Sequence, residues 1–168
     1  MPNYRRACVP GGTYFFTVNL LERRRRLLTE RIDVLGHAFR TARAARPFSM
    51  TAWVVLPDHL HCIWVLPEGD ADIATRWRHI KTLFSRAMPA EERRSPRRLA
   101  KAERGIWQRR YWEHLIRDEA DLRAHVDYIH INPVKHGHVT RAMEWPHSSF
   151  HRYVRCGWMP MDWGCDPV

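Results

Sequence analysis

The sequence has few cysteines and no long apolar segment, and each shortage excludes a class of protein. The chain has 168 residues and four cysteines, with no C-x-x-C pair and no regular cysteine spacing. A disulfide-stapled secreted domain is therefore excluded, and free thiols in a reducing cytoplasm are the simplest interpretation. No apolar run is long enough to span a membrane, and the segment after Met1 lacks the apolar core of a signal peptide. We therefore expect a cytoplasmic protein with no membrane partner.

Lysine is also scarce, although the chain is strongly basic. Lysine occurs only at positions 81, 101 and 135, whereas lysine and arginine together number 28 against 18 acidic residues, for a net charge of +10. The planar guanidinium of arginine matches phosphate geometry and stacks on bases, so this bias favours a nucleic-acid partner. A genome rich in G and C would also enrich arginine codons, but it would not explain the net charge.

The spacing of apolar residues predicts one domain, residues 1–168, built from alternating helices and strands. The predicted elements are, in order, strand 13–20, helix 30–45, strand 48–56, strand 59–66, helix 71–87, strand 106–116 and helix 119–131. The first six match the ferredoxin-like βαββαβ arrangement, an α+β fold with helices on one face of an antiparallel sheet. The last helix and a C-terminal tail, residues 151–168, complete the domain.

One internal segment does not fit this pattern. Residues 89–104 are rich in charge and poor in large apolar side chains. Such a composition contributes little to a core, so we expect a mobile charged loop that is at most partly helical.

Two histidines one residue apart interrupt the third predicted strand. Because alternate residues of a strand share a face, His59 and His61 project to the same side. Two neutral imidazoles make half of a divalent metal site. The spacing alone leaves ordinary core or surface histidines open, since this composition gives roughly 0.7 such pairs by chance. A second pair, His136 and His138, brackets a glycine after a proline and is typical of a turn or helix end.

The last predicted helix carries a polar stripe beside its buried one. Asp121, His125, Tyr128 and Asn132 recur at steps of four, three and four. A tyrosine followed one turn later by a carboxamide suits a tyrosine nucleophile beside a metal that the asparagine oxygen helps to hold. The alternative is a half-buried tyrosine and an asparagine that caps the helix before Pro133.

Taken together, several motifs resemble those of one family. They are Tyr4-Arg5-Arg6, Gly11-Gly12-Thr13-Tyr14-Phe15-Phe16-Thr17-Val18, Trp53-Val54-Val55-Leu56-Pro57-Asp58-His59-Leu60-His61, Trp107-Gln108-Arg109 and Tyr128-Ile129-His130-Ile131-Asn132-Pro133-Val134. In this order they resemble the REP-associated tyrosine transposases, bacterial relatives of the single-tyrosine HUH transposases. The resemblance implies an enzyme that nicks and rejoins single-stranded DNA at REP elements, short palindromes that fold into hairpins.

The resemblance also implies roles for individual residues. His59 and His61 fall on the family's HUH pair, which would hold Mg²⁺ or Mn²⁺ together with Asn132, where relatives often carry glutamine. Tyr128 falls on the nucleophile, which would leave a 5′-phosphotyrosine link and a free 3′-OH. His125, one turn earlier, is a candidate proton acceptor, with a solvated histidine as the alternative.

Two further residues compete for these roles. Tyr111 is the competing nucleophile, although a core or base-stacking position suits its aromatic surroundings better. His114 is a further residue for the metal site, and packing at a strand end is its alternative.

The expected partner is single-stranded or hairpin DNA of the REP type. Candidate contacts are the arginines Arg5, Arg6, Arg23, Arg24, Arg25, Arg26, Arg109 and Arg110, and for each a solvated surface charge is the alternative. The tail, with Trp158 and Trp163, packs on the body or contacts DNA. The resemblance implies a monomer at the bacterial nucleoid, whereas classical relatives assemble their site across a dimer.

Three other functions compete with this one. A REP-binding protein without cleavage would use the same basic surface and have vestigial histidines. An RNA-binding module would show the aromatic K/R-G-F/Y pattern, which is missing here. A zinc hydrolase would need a third strong ligand or an acidic partner, and neither is evident.

Overall fold

A four-stranded antiparallel sheet forms the centre of the fold. The computed structural model describes residues 6–165. Its elements are β1 (Thr13–Asn19), α1 (Leu27–Glu30), α2 (Ile32–Ala45), β2 (Ser49–Val55), β3 (His59–Val65), α3 (Ile73–Arg86), α4 (Pro96–Ala100), β4 (Trp112–Leu115), α5 (Glu119–Lys135), a 3-10 helix (Ala142–Glu144) and α6 (Phe150–Arg155). The strands follow the order β2-β3-β1-β4 with antiparallel neighbours. This order is that of the βαββαβ unit, so the predicted α+β ferredoxin-like fold is confirmed.

The first face of the sheet carries the main core. Alternate residues of β1, among them Phe16, pack under α2 and α3, and Trp64 of β3 stacks on Trp77 of α3 with ring centroids 4.3 Å apart. The start of α3 is fixed by Asp72, whose side chain accepts a hydrogen bond from the Thr75 amide. These contacts make the two-helix face expected from the sequence.

The second face carries a smaller core beneath α5 and α6. Phe15 of β1 and Ile63 of β3 meet Val126 and Ile129 of α5 there, together with Trp145 and Tyr153. The side chain of Asp118 caps α5 by accepting a hydrogen bond from the Asp121 amide at 2.8 Å. Because α5 lies on the face to which the odd-numbered residues of β3 project, it approaches the two histidines.

Helix α5 is longer than predicted, because Pro133 does not end it at residue 131. The helix runs through this proline to Lys135, and the His136 amide donates to the carbonyl of Asn132. A proline removes one backbone donor, but Pro133 is buried and α5 continues for another half turn. The side chain of Asn132 is consequently inside the protein and does not cap the helix.

The fourth strand is shorter than predicted. Residues 106–111 leave the sheet, and only an isolated bridge between Trp107 and Leu20 continues the pairing. The register explains the difference, because Thr17 pairs with Trp112 whereas Leu20 bridges to Trp107, so two extra residues interrupt the pairing between them.

The charged segment and the tail both contact the body. Residues 89–104 contain α4, and Arg104 donates hydrogen bonds to the carbonyls of Ser85 and Pro89 and pairs with Glu92. In the tail, Trp163 lies 5.8 Å from Phe150, ring centroid to centroid, so the described part of the tail packs against α5 and α6.

Candidate functional site

The two histidines of β3 lie side by side on the second face of the sheet. Their ring centroids are 5.0 Å apart, and the residues are only 5% (His59) and 3% (His61) exposed. The alternation of the strand places both on the face covered by α5, as the sequence predicts. The pair is therefore close to buried, with little water around it.

Each imidazole is oriented by a hydrogen bond at Nδ1. His59 Nδ1 lies 2.7 Å from Oδ1 of Asp58, and His61 Nδ1 lies 2.8 Å from the hydroxyl oxygen of Thr17. Metal-binding histidines are commonly held in this way, through the ring nitrogen that does not face the metal. In His61 the other nitrogen, Nε2, is buried and has no hydrogen-bond partner among the described residues.

Burial keeps both rings neutral. It lowers the pKa of His61 to about 3, with further lowering from His59, His136 and Lys135. Burial also lowers the pKa of His59, although the hydrogen bond to Asp58 partly opposes the shift. Neutral imidazoles are the form that binds a metal, so no proton has to be displaced near neutral pH.

Tyr128 of α5 completes the arrangement. Its ring centroid lies 5.2 Å from that of His61 and 6.0 Å from that of Phe15. The ammonium of Lys135 lies 5.0 Å from the centre of the Tyr128 ring and adds positive charge beside it. The helix thus brings the predicted tyrosine to the predicted histidines within one chain.

Asn132, one turn after Tyr128, is fully buried. Neither its side-chain oxygen nor its side-chain nitrogen has a hydrogen-bond partner in residues 6–165. A buried amide oxygen without a partner carries a free-energy penalty, which a bound cation would relieve. Nε2 of His61 and Oδ1 of Asn132 are therefore atoms of the kind that a divalent metal ion binds.

Comparison with known proteins places the chain in a family. No family model matches it, but the REP-associated tyrosine transposase of Escherichia coli K12 is 51% identical over 166 residues, which cover 99% of this chain and 93% of the relative. This chain belongs to the REP-associated tyrosine transposases. A relative from Haemophilus influenzae, described under the same family name, is 47% identical over 168 residues, which cover 99% of this transposase and 96% of the relative.

A solved structure agrees with this membership. It is described as a REP-associated tyrosine transposase bound to a REP hairpin, superposes with a TM-score of 0.85 at 50% identity, and the match covers 100% of this chain and 94% of that one. The present transposase is accordingly an enzyme of the tyrosine transposase class. Within its described residues, no helix is both long enough and apolar enough to cross a membrane.

The sequence interpretation missed Lys135 and His136, which both lie at the site of this transposase. His136 is at the end of α5, as predicted, but its ring centroid lies 5.3 Å from that of His59. The signal was present, because position 136 continues the four-residue steps from 128 and 132. Ending the helix at Asn132-Pro133 concealed it.

A second polar cluster lies on the same face, on the far side of Phe15. Asp121 accepts a hydrogen bond from His114 Nε2 at 2.8 Å, and His125 Nδ1 lies 3.1 Å from its other oxygen. The backbone amide of Arg117 and then His114 lower the pKa of Asp121 to about 2. Ligand atoms of the three residues lie within 4.8 Å of one another. The centroid of Phe15 is 4.8 Å from that of His125 and 5.5 Å from that of His61, so this ring separates the cluster from the β3 pair.

Tyr111 is separated from the histidines by the sheet. It packs on the first face against Phe16 and Trp77, and burial raises the pKa of its hydroxyl to about 12. This placement agrees with the core or base-stacking position that the sequence favours for Tyr111 over a nucleophilic role.

The predicted arginine contacts are spread over several surfaces. Arg6 donates to the Tyr111 hydroxyl at 2.7 Å, Arg23 pairs with Asp58, and Arg109 pairs with Glu103. Arg24 and Arg110 are exposed. Arg5 lies outside the described residues.

Proposed function

We propose that this transposase cuts and rejoins single-stranded DNA at REP hairpins, with Tyr128 as the nucleophile and His59, His61 and Asn132 as ligands of Mg²⁺ or Mn²⁺. One observation carries the proposal: Tyr128 lies beside a buried pair of neutral histidines, with ring centroids 5.2 Å apart. The unpartnered nitrogen of His61 and the unpartnered amide of Asn132 support the metal assignment. With three protein ligands, such an ion keeps water or phosphate in its remaining positions.

The chemistry is an exchange of one phosphodiester for another. The Tyr128 oxygen loses its proton and forms a bond to phosphorus, while the bond between phosphorus and the 3′ oxygen breaks. One DNA end is then joined to the tyrosine by a 5′-phosphotyrosine link, and the released 3′ oxygen takes up a proton to become a 3′-OH. The reverse reaction rejoins a strand without ATP. The divalent ion, when bound, orients the phosphate and neutralises its developing charge. Lys135, whose ammonium lies 5.0 Å from the centre of the Tyr128 ring, places a positive charge beside the proposed nucleophile.

REP hairpin DNA is the proposed partner. A structure at 50% identity is described as bound to a REP hairpin, and the present chain carries a net charge of +10 that suits a polyanion. Because Tyr128 and the histidines belong to one chain, we propose a monomeric enzyme. Its substrate is chromosomal, so the proposed location is the bacterial nucleoid.

Trapping of the covalent intermediate tests the proposal. A labelled REP hairpin with single-stranded flanks is incubated with the transposase and Mn²⁺, and adducts are resolved on a denaturing gel. We expect an adduct with the native chain and with Tyr153→Phe, a matched tyrosine whose hydroxyl donates to the Thr51 carbonyl away from the histidines. We expect none with Tyr128→Phe or after chelation of the metal.

Two outcomes would contradict the proposal. An adduct that persists in Tyr128→Phe would refute the nucleophile assignment. Tight hairpin binding without any adduct on either strand would favour a REP-binding protein that does not cleave.

A further inference from the structure

A strongly basic cleft lies on the first face of the sheet, across from the histidines. It has a volume of about 610 Å³ and lies between α3 and residues 102–111. Of the residues that the structure describes, Glu103 is the one carboxylate in its lining. Six cationic side chains also line it: Arg6, Arg78, Lys81, Arg86, Arg104 and Arg109. The cleft is therefore an anion site by charge.

Half of these cations have no carboxylate partner. Arg104 pairs with Glu92 and Arg109 with Glu103. Across residues 6–165, no ion pair forms at Arg78, Lys81 or Arg86. The nearest carboxylate oxygen to Arg6 belongs to Glu113, at 3.9 Å, which is longer than a good hydrogen bond.

Lys81 lies at the inner wall of the cleft. Its ammonium donates to the carbonyl of Gln108 at 2.9 Å, and burial lowers its pKa to about 8, followed by the repulsion of Arg6 and Arg98. An ammonium has three protons to donate and is stabilised by an anion when it leaves water. A phosphate group in the cleft would supply both the hydrogen bonds and the charge.

Tyr111 adds an aromatic surface to the same cleft. The Arg6 guanidinium lies 4.6 Å from the centre of its ring, and the Lys81 ammonium lies 5.4 Å from it. Cations beside an aromatic ring are the combination that binds a phosphate and its base in single-stranded nucleic acid. A bare phosphate would not need the ring.

The edge strand β4 joins this cleft to Tyr128. Trp112, next to Tyr111, pairs with Thr17 on the second face and is 59% exposed. It lines a cleft of about 430 Å³ together with His125 and Tyr128. Consecutive aromatic residues thus face the two sides of one exposed sheet edge.

We propose that the basic cleft binds a nucleotide of the single-stranded DNA that flanks the hairpin, and that the strand passes around β4, over Trp112, to reach Tyr128. This inference rests on the proposed function, because it assigns part of the same substrate. It adds a site on the opposite face of the sheet that fixes the register of the strand before cleavage.

Binding measurements in a chain that cannot cleave test the inference. In the Tyr128→Phe background, Lys81→Met removes the inner charge at similar volume, and Lys101→Met makes the same change at an exposed position outside the cleft. The probes are fluorescent REP hairpins with a single-stranded extension on the 5′ side, on the 3′ side or on neither. We expect Lys81→Met to weaken binding of one extended hairpin about tenfold and to lower its salt slope by about one. Lys81→Met should bind the bare hairpin as before, and Lys101→Met should bind every probe as before. Thermal melting verifies that each variant is folded.

Crosslinking supplies a second measurement that needs no variant in the cleft. Iododeoxyuridine is placed at each position of the extensions, and the crosslinked peptides are identified by mass spectrometry after irradiation. A crosslink to Tyr111 at one position and to Trp112 nearer the cleavage site supports the path. Crosslinks confined to the second face, or equal weakening of the bare and extended hairpins by Lys81→Met, would overturn it.

The two proposals fail in different ways. If the native chain forms the covalent adduct but Lys81→Met binds every probe like Lys101→Met, only the cleft assignment is wrong. If the native chain forms no adduct, the proposed cleavage is wrong whatever the cleft binds.

Discussion

Removal of the carboxylate behind His59 should weaken metal binding strongly. Oδ1 of Asp58 lies 2.7 Å from His59 Nδ1, which fixes the ring and raises its basicity against the lowering effect of burial. Loss of such an outer partner typically lowers metal affinity 10- to 100-fold, which corresponds to about 1.4–2.7 kcal/mol. The variant Asp58→Ala tests this directly.

The local charges place the expected effect near the upper end of that range. Arg23 pairs with Asp58 and also approaches His59 Nδ1 to 3.5 Å. In Asp58→Ala its charge is no longer neutralised and repels a divalent ion. Asp58→Asn keeps a hydrogen-bond acceptor but loses the charge, so we expect an intermediate affinity.

Calorimetric titration with Mn²⁺ measures the effect. A slightly alkaline pH is used because the imidazoles are then neutral in every variant, and proton competition does not contribute. Asp33→Ala, the same change at an exposed position in the first turn of α2, is the matched control and should bind like the native chain. If Asp58→Ala stays within about twofold of the control while His61→Ala abolishes binding, the proposed role of Asp58 in holding the ligand is wrong.

Three predictions concern stability. Asp70 pairs with the buried Arg76, and the hydrogen bond from this arginine is the main reason that its pKa falls from 3.8 to about 2. The free energy of unfolding of the native chain should therefore exceed that of Asp70→Asn by about 1 kcal/mol after solvent screening. In urea titrations the full difference should be present above pH 3.8 and should be lost as the pH falls towards 2. A difference independent of pH would contradict this. Ser149→Ala removes buried hydrogen bonds to both backbone groups of Trp53 and should cost about 1–3 kcal/mol in urea unfolding. Gly164→Ala puts a methyl group 2.8 Å from an α5 side chain at a φ of +76°, so tryptophan fluorescence should report a displaced tail, and an unchanged spectrum would argue against that packing.

The sequence predicted most of the sheet because its signals were local. Runs of apolar, β-branched and aromatic residues located β1 to β3, and the period of two was enough to place His59 and His61 on one face. The strand order followed from the order of elements, since the βαββαβ unit has few compact arrangements. The start of β4 was not predictable in this way, because the two extra residues that interrupt its pairing with β1 leave no mark in the apolar pattern.

The rest of the site depends on tertiary placement. A proline usually ends a helix, so Asn132-Pro133 was interpreted as a boundary, and only packing against the body shows that α5 continues. For the same reason the sequence predicts His136 at a turn or helix end, which is where it lies, but does not predict that it approaches His59. The basic cleft was also hidden from the sequence, because it joins Arg6, α3 and residues near 104, which are far apart along the chain.

Both ends of the described chain lie at the clefts themselves. Arg6 lines the basic cleft, and Cys165 lines a second cleft beside Tyr128. A label on a cysteine introduced at position 6 would therefore report on the basic cleft, and a label on Cys165 would report on the cleft beside Tyr128.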